Sequence, residues 1–509
     1  MSAKLQQISE LENILSVKSS TNASILDLFS KFGIGRVLSR HALDKKRGVD
    51  MAQLILSLIL FRINQKTVGA MYEARFHGLL ETGKNCYYRL MNRSEMNWRV
   101  VLLGMACRFR SIVRKYKAEE PSESQCYIVD DTTVEKTGFH LEGLSRVFDH
   151  VCHVCVPGFK LLVLAIFDGR STYACDLSLH REKGTEGDYG LSRKERKLQF
   201  HKDRREGAPG YERHKELDAK KSDTAVEMIA RAWKKGVRLP YALMDTWFVT
   251  AKMVAQIRKI GKGGIHLVGR MRMGNDKFTV GKRRYNVHQL VSLHEREAVP
   301  CRKYKCLYFE QRAMMDDTYV KLIFVKVGRN STWDVILTTD THMKFIKAFE
   351  LYQIRWNIEV MFKECRQYLR LGSYQGTDFD AQIADGTLCM MTHMVLTLAK
   401  RFGEYETMGE LFREQRESLL ALTLWKRILD IIERLLAALS ELMAINVHET
   451  ISMIAAGQTD LEKMIGIAKL LSPDSLESTD LTNLDNMQNP RNCSAISHIA
   501  LPTLKTKRG

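Results

Sequence analysis

Six short β-rich runs and one long amphipathic helix, in a fixed order, restrict the fold of this chain more than any other feature. The runs have the length and composition of buried strands, and they cover residues 125–129, 158–168, 171–179, 239–244, 264–270 and 333–338. Helical segments separate the later runs, and the long helix spans about 343 to 371. Strands that alternate with helices predict an α/β fold with a largely buried sheet.

The distribution of charge predicts an anionic partner. The formal net charge is +19, yet residues 400–509 carry only 13 basic against 15 acidic side chains, so the excess lies before residue 400. Lys and Arg neutralise phosphates and release condensed counterions, which gives affinity for DNA of any sequence. From charge alone, a basic protein that binds nothing acidic remains an open alternative.

Two observations bear on location. The first residues lack the basic-then-apolar pattern of a secretory signal, which favours a cytoplasmic protein. No apolar run approaches the roughly 20 residues that a membrane span needs, so we expect no membrane partner.

Composition and hydrophobic pattern divide the chain into four regions. We predict a helical DNA-binding region at 1–120, although a bundle for packing and dimerisation fits that segment equally well. The α/β domain covers 121–376, with a β-rich insertion at about 271–332 before its last helix. A helical C-terminal region, a candidate for dimerisation, covers 377–471, and the polar tail 472–509 is expected to be disordered.

Acidic residues end two of the predicted strands. Asp130 and Asp131 follow the first strand, and Asp245 follows the run at 239–244. Carboxylates at the carboxyl ends of neighbouring strands can converge, and Mg²⁺ is commonly held by such groups together with substrate phosphate. Acidic residues also end strands simply as turn formers, so this pattern alone does not decide the matter.

The long helix carries a polar stripe. At 100° per residue, five side chains fall within about 80° of one another: Tyr352, Arg355, Glu359, Lys363 and Arg366. A carboxylate among three cations and a tyrosine suits a metal bound beside a phosphodiester. A solvated face with ion pairs at i,i+4 spacing would have the same pattern.

The stripe resembles a known family signature. Tyr352-(2)-Arg355-(3)-Glu359-(6)-Arg366 is similar to the Y-(2)-R-(3)-E-(6)-K motif of DDE transposases of the insertion sequence 4 family. Asp131-Thr132 resembles the first acidic motif of that family, and Asp245 in LMDTWF resembles the second. The resemblance covers about residues 120 to 400 and departs from the motif at its last position, where Arg366 stands for lysine.

The resemblance implies a fold, a reaction and partners. The fold would be a ribonuclease-H-like core with a β-rich insertion, flanked by N- and C-terminal helical regions. Asp131, Asp245 and Glu359 would bind two Mg²⁺ ions, replaceable by Mn²⁺, and catalyse DNA cleavage and strand transfer. Tyr352, Arg355, Lys363 and Arg366 would bind DNA. The partners would be terminal inverted repeats, target DNA and a second copy of the chain, in a bacterial protein associated with the nucleoid.

Several alternatives stay open. Asp130 competes with Asp131 because adjacent strand residues point to opposite faces. Trp247 is expected in the core, whereas Trp356 lies beside the polar stripe. A zinc site at Cys152–Cys155 is disfavoured because a second ligand pair is missing nearby. Four aromatic residues in or near the insertion could stack on an extruded base, as relatives that form a DNA hairpin require: Tyr285, Tyr304, Tyr308 and Trp333.

Two further questions concern the whole protein. The basic run 181–221 is either a solvated segment or a DNA contact. A transposase-derived DNA-binding protein without cleavage activity and a stand-alone nuclease of the same fold are the alternative functions. The complete acidic triad argues against the first of these.

Overall fold

The computed structural model describes residues 31–41, 43, 48–73, 82–116, 125–328, 331–403 and 405–417. All of them belong to one compact unit, 19–426. The predicted tail and most of the predicted C-terminal helical region lie outside the described residues. Among the described helices, none is both long and apolar enough to cross a membrane.

The strands of this unit form one mixed sheet. They are β1 Cys126–Glu135, β2 Ser145–Asp149, β3 Val154–Phe167, β4 Thr172–His180, β5 Tyr241–Met244, β6 His266–Met271, β7 Lys277–Val280, β8 Arg283–Asn286, β9 Val299–Cys301, β10 Cys306–Met315, β11 Thr318–Val327 and β12 Asp334–Thr338. The order is β2-β3-β1-β5-β6-β12-β11-β10-β7-β8, with β4 paired to β3 and β9 paired to β10.

The centre of the sheet is its parallel part. β5 pairs in parallel with both β1 and β6, and all four of its residues are buried. Strands buried on both faces read as continuous apolar runs, which is why the sequence YALM forms β5. The mixed sheet with helices on its flanks is consistent with a ribonuclease-H-like core, as the sequence predicted.

Thirteen α-helices among the described residues are used below. They are α1 Ile34–Arg40, α2 Met51–Ile63, α3 Val68–Glu73, α4 Lys84–Met91, α5 Trp98–Lys115, α6 Arg193–Lys197, α7 Pro209–Lys215, α8 Lys221–Lys234, α9 Ala251–Lys259, α10 Val287–His294, α11 Phe345–Ile354, α12 Trp356–Leu369 and α13 Phe379–Phe402.

α12 and α13 differ in their surroundings. Only five of the 14 residues of α12 are buried, whereas α13 is buried along nearly its whole length. α13 packs against β4, α5 and α2. Because α2 and α5 come from the N-terminal part of the chain, helices that are distant in the sequence pack together beside β4. The division of the chain into regions with separate functions stays a prediction.

The predicted β-rich insertion is continuous with the main sheet. β12 pairs with β6 on one edge and with β11 on the other, and β10 follows β11. The segment between β6 and β12 therefore extends the sheet outward from the parallel centre. A sequence shows that such a segment is β-rich, but the partner of its strands is set by contacts distant in the chain.

The long helix predicted at about 343 to 371 is present as two helices. α11 ends at Ile354 and α12 begins at Trp356, with Arg355 between them in the right-handed helical region (φ −51°, ψ −34°). Since Arg355 keeps helical dihedral angles, the side chains before and after it stay on one face. The predicted polar stripe can thus reach the sheet as a unit.

Candidate active site

The two aspartates of β1 point to opposite faces of the sheet. Asp130 accepts a hydrogen bond from Arg355 Nη1 at 2.9 Å, between α11 and α12. Asp131 accepts one from Lys221 Nζ at 2.8 Å, at the start of α8. The structure places Asp130 on the face of the polar stripe and Asp131 on the other face, because the two-residue period of a strand admits only one of them there. The choice of the first metal ligand between the two stays a prediction.

Asp245 lies beside Asp130 because β1 and β5 run in parallel. Val129 is opposite Met244 in the register, so the next residue of each strand is an aspartate. Tyr352 Oη donates to Asp245 Oδ1 at 3.4 Å. Burial raises the pKa of Tyr352 to about 12, with the charge of Asp245 acting in the same direction, so the phenol remains a hydrogen-bond donor at neutral pH.

Arg355 connects two carboxylates. Its Nη2 donates to Glu359 Oε1 at 2.6 Å, while its Nη1 contacts Asp130. An i,i+4 ion pair, which the sequence offered with Glu359 and Lys363 as a purely structural alternative, is formed by Arg355 and Glu359. It lies against the carboxylate of Asp130 on β1.

The environment of Asp130 opposes ionisation. Burial raises the pKa of Asp130 to about 7, against the effect of Arg355, and the charges of Asp131 and Asp245 raise it further. A buried carboxylate next to a second one needs a neighbouring positive charge in order to ionise. In this structure Arg355 supplies that charge.

The remaining residues of the stripe extend along α12. Arg366 Nη2 contacts Thr132 Oγ1 and donates to the carbonyl oxygen of Thr133 at 3.2 Å. Lys363 is exposed on the same helix. The structure thus brings Tyr352, Arg355, Glu359 and Arg366 to the segment 130–133 of β1 and to the carboxyl end of β5, and it leaves Asp131 on the far face.

The carboxylates suit a hard divalent cation, although they are not arranged as a finished site. Within the described part of the chain, no three His, Cys, Asp or Glu side chains form a group that could hold a metal ion. Arg355 lies between Asp130 and Glu359 instead. The donor set fits nevertheless: all the groups are oxygen ligands, and a divalent cation would neutralise the costly buried charge of Asp130.

The aromatic residues are distributed differently from the sequence expectation. Trp247, expected in the core, is 66% exposed, with the His150 ring 5.7 Å away and the Arg272 guanidinium 5.5 Å from its ring centre. Trp356 is 61% exposed beside the stripe. The position of Trp247 follows from the turn after β5, which carries the side chain outward once the buried strand has ended.

Two of the aromatic candidates of the insertion contact α11. Tyr308 stacks on Phe345 at 4.0 Å, and Tyr304 donates to Glu350. Trp333 is 9% exposed, and Tyr285 is partly buried against the core. A stacking role for one of the four stays a prediction.

Much of the basic run 181–221 is neutralised inside the protein. Arg204 is almost fully buried between Glu142 and Asp380, at 2.6 and 3.0 Å. Arg181 pairs with Asp218 at 2.6 Å, and Lys202 binds two aspartates that flank the start of α13. These cations stabilise the fold, which the sequence could not indicate because their carboxylate partners are distant in the chain.

The cysteine-rich turn does not form a cluster of metal ligands. Cys152 and Cys155 are both exposed, and the His150 ring packs against Phe148 and Trp247. Sequence reasoning missed Lys221 and Lys160, which contact the end of β1 from the far face. Neither lysine belongs to a motif, so only the tertiary structure reveals them.

The mixed sheet with flanking helices defines an α/β protein that is consistent with a ribonuclease-H-like core. Comparison with known families agrees, since residues 38–284 match the DDE superfamily endonuclease. This part of the chain is thus similar to that family and supports a nuclease of the transposase type. The match includes Asp130, Asp131 and Asp245, and it ends before Glu359. The search of curated proteins found no match.

Proposed function

We propose that this protein is a transposase that cuts DNA at transposon ends and joins the cut ends to target DNA. The observation that carries the proposal is that Arg355 bonds both Asp130 and Glu359, while Asp245 follows β5 beside Asp130. The similarity to DDE superfamily endonucleases supports it. The narrower resemblance to the insertion sequence 4 family rests on the motif around Glu359.

The proposed metal ligands are Asp130, Asp245 and Glu359, with Mg²⁺ as the natural ion and Mn²⁺ as a substitute. Asp130 takes the place that the sequence pattern gave to Asp131. Two such ions, when bound, would activate the attacking oxygen and stabilise the leaving oxygen at phosphorus. Arg355 would release Asp130 as the ion takes over its charge.

Three side chains of the stripe are placed to bind the scissile region. Arg355, once released from Asp130, would offer its guanidinium to a phosphate oxygen, and Tyr352 would keep Asp245 oriented through its hydroxyl. Arg366, exposed beside Thr132 and Thr133 of β1, would bind a neighbouring phosphate through its planar guanidinium group. A lysine at this position would act as a point charge instead. Lys363 adds a further positive charge on the same helix.

The expected partners follow from the reaction. Cutting two transposon ends and joining them to one target requires both ends in one complex, so we propose a homodimer on terminal inverted repeats. A nucleoid-associated location in a bacterial cytoplasm would accompany this activity. The N-terminal helical region is the proposed recognition element for the repeats.

The test is an assay with DNA that carries labelled terminal repeats, incubated with the protein and Mg²⁺. We expect cleavage that exposes a 3′ hydroxyl, followed by joined products when target DNA is added. Asp245→Asn and Glu359→Gln should abolish both steps and keep DNA binding. Cleavage without any joined product would favour a stand-alone nuclease, and an unchanged cutting rate in Glu359→Gln would contradict the proposal.

A further inference from the structure

From Asp130 onward, the strand β1 is hydrogen-bonded to β3 but no longer to β5. Its pairing with β3 continues from Cys126 to Glu135, whereas its pairing with β5 covers only Cys126 to Val129. From Asp130 onward, one edge of β1 therefore has no hydrogen-bonding strand on the β5 side. In this part of β1, side-chain contacts supplement the backbone pairing with β3.

Such contacts come from both faces of the sheet. On the face of the stripe, Arg355 and Arg366 contact Asp130 and Thr132. On the far face, Lys221 Nζ donates to Asp131 at 2.8 Å. The Lys221 and Asp131 side chains are 33% and 17% exposed, so this ion pair is only partly screened by water.

The far-face pair is linked to the active-site carboxylate through the backbone. The backbone N–H of Asp131 donates to Asp130 Oδ1 at 2.8 Å. A shift in the main chain at Asp131 would therefore move this donor and turn the Asp130 carboxylate away from Asp245. The Asp131 side chain fixes that main chain by its bond to Lys221.

The other end of the ion pair is anchored as well. Lys221 is the first residue of α8, and Arg231 near the end of the same helix bonds Asp176 on β4 at 2.9 and 3.1 Å. α8 also packs against β3 and β4. The helix that supplies Lys221 is consequently held to the sheet independently of β1.

We propose that Asp131 and Lys221 form a positioning pair that holds β1 so that Asp130 faces Asp245. Asp131 acts through Asp130 and is not itself a metal ligand. The inference rests on the proposed function, because it assigns a role relative to the proposed metal ligands. It explains why two adjacent aspartates at this place have different partners and different tasks.

The test measures Mn²⁺ binding to the full-length protein by calorimetry without DNA, beside the cleavage assay. Asp131→Asn and Lys221→Met should each weaken Mn²⁺ binding about 10-fold, the usual size of a second-layer effect. Raising the Mn²⁺ concentration should restore cleavage in both variants. The double variant should be no weaker than either single one, since both changes remove the same interaction. Lys221→Arg, which keeps the charge, should bind Mn²⁺ as the wild type does.

Lys252→Met is the matched control. Lys252 pairs with Asp223 on the first turn of α8 at 2.5 Å without touching β1, so this change should leave Mn²⁺ binding unaltered. Loss of Mn²⁺ binding at every concentration in Asp131→Asn, with Lys221→Met unaffected, would overturn the proposal and make Asp131 a ligand. Unchanged binding in both variants would also overturn it. A different result would show that the proposed function itself is wrong: cleavage of DNA by Asp245→Asn at the wild-type rate.

Discussion

At the scale of single residues, Asp130 and its neighbours explain why the site requires a cation. Its carboxylate is 14% exposed, lies beside Asp245 and is stabilised by the charge of Arg355 and by the backbone N–H of Asp131. Such a group is stable as a neutral acid or with a bound cation, and it is least stable as an isolated anion. This preference is the physical reason for assigning a metal to this position.

The raised pKa of Asp130 makes a prediction about pH and stability. Because the pKa is about 7 in the folded state and near 3.8 in the unfolded state, folding retains a proton between these values. The stability that Asp130 contributes to the metal-free protein is therefore present below about pH 4 and is lost as the pH rises to about 7. In urea unfolding with a chelator present, the unfolding free energy of the wild type should fall between pH 5 and pH 8. In Asp130→Asn the fall should be smaller by about a few kcal/mol. Equal pH dependence in both proteins would contradict the assigned environment.

At the scale of elements, buried ion pairs attach the helices to the sheet. Arg99 on α5 bonds Asp176 on β4 at 3.0 Å and both oxygens of Glu216 at 2.8 Å. Arg231 on α8 reaches the same Asp176. Asp176 is thus shared by an N-terminal helix and by the helix that carries Lys221, so the two helices are positioned together.

Removing Arg99 tests this attachment. Arg99→Met would leave Asp176 and Glu216 with less compensation in a buried setting, which typically costs about 3–5 kcal/mol. Arg196→Met removes the exposed pair with Asp188 and should cost below about 1 kcal/mol. Urea unfolding of the two variants measures the difference, and equal losses would show that burial of the Arg99 network adds nothing.

The same network predicts an acid limit. Despite burial, Arg213 and Arg99 hold the pKa of Glu216 down at about 2, below its ordinary value of 4.5. The stability from Glu216 is accordingly present above about pH 4.5 and is lost as the pH falls toward 2. Arg99→Met should show a weaker loss than the wild type over this interval, when the unfolding free energy is measured from pH 5 to pH 2.5. A parallel decline in the two proteins would contradict this assignment.

At the scale of the whole molecule, the charge excess and the site should act together on DNA. The chain as a whole carries a net charge of +19, and its positive excess lies before residue 400, in the part that contains the α/β domain. If the protein contacts six or more phosphates, DNA affinity should fall by about 10³ between 50 and 200 mM salt. Fluorescence anisotropy with labelled duplex DNA measures this dependence. An affinity that is insensitive to salt would argue against a basic DNA-binding surface.

The sequence predicted the parts of the site that depend on local periodicity. Helical spacing correctly grouped Tyr352, Arg355, Glu359 and Arg366, because a helix of regular pitch fixes their common face. The choice between Asp130 and Asp131 needed the tertiary structure, since strand period separates the two faces without saying which one meets α12. Lys221 lies 90 residues from its partner Asp131, and no local pattern marks such a pair.

The fold, like the site, depends partly on local sequence patterns and partly on contacts between residues that are distant in the chain. The order of strands and the β-rich character of the insertion could be predicted, whereas its continuity with the main sheet could not. The strand β2 was missed, and β1 extends beyond its two aspartates to Glu135 because β3 pairs with it throughout. Pairing partners that are distant in the chain decide each of these points.

The most direct test of the proposed site compares Asp130→Asn with Asp131→Asn in cleavage of labelled transposon-end DNA as the Mg²⁺ concentration is raised. We predict that Asp130→Asn stays inactive at every Mg²⁺ concentration, while Asp131→Asn regains cleavage as the concentration rises. DNA binding by both variants, measured in parallel, should match the wild type. Cleavage by Asp130→Asn together with permanent inactivity of Asp131→Asn would contradict the central claim that Asp130, Asp245 and Glu359 form the catalytic site.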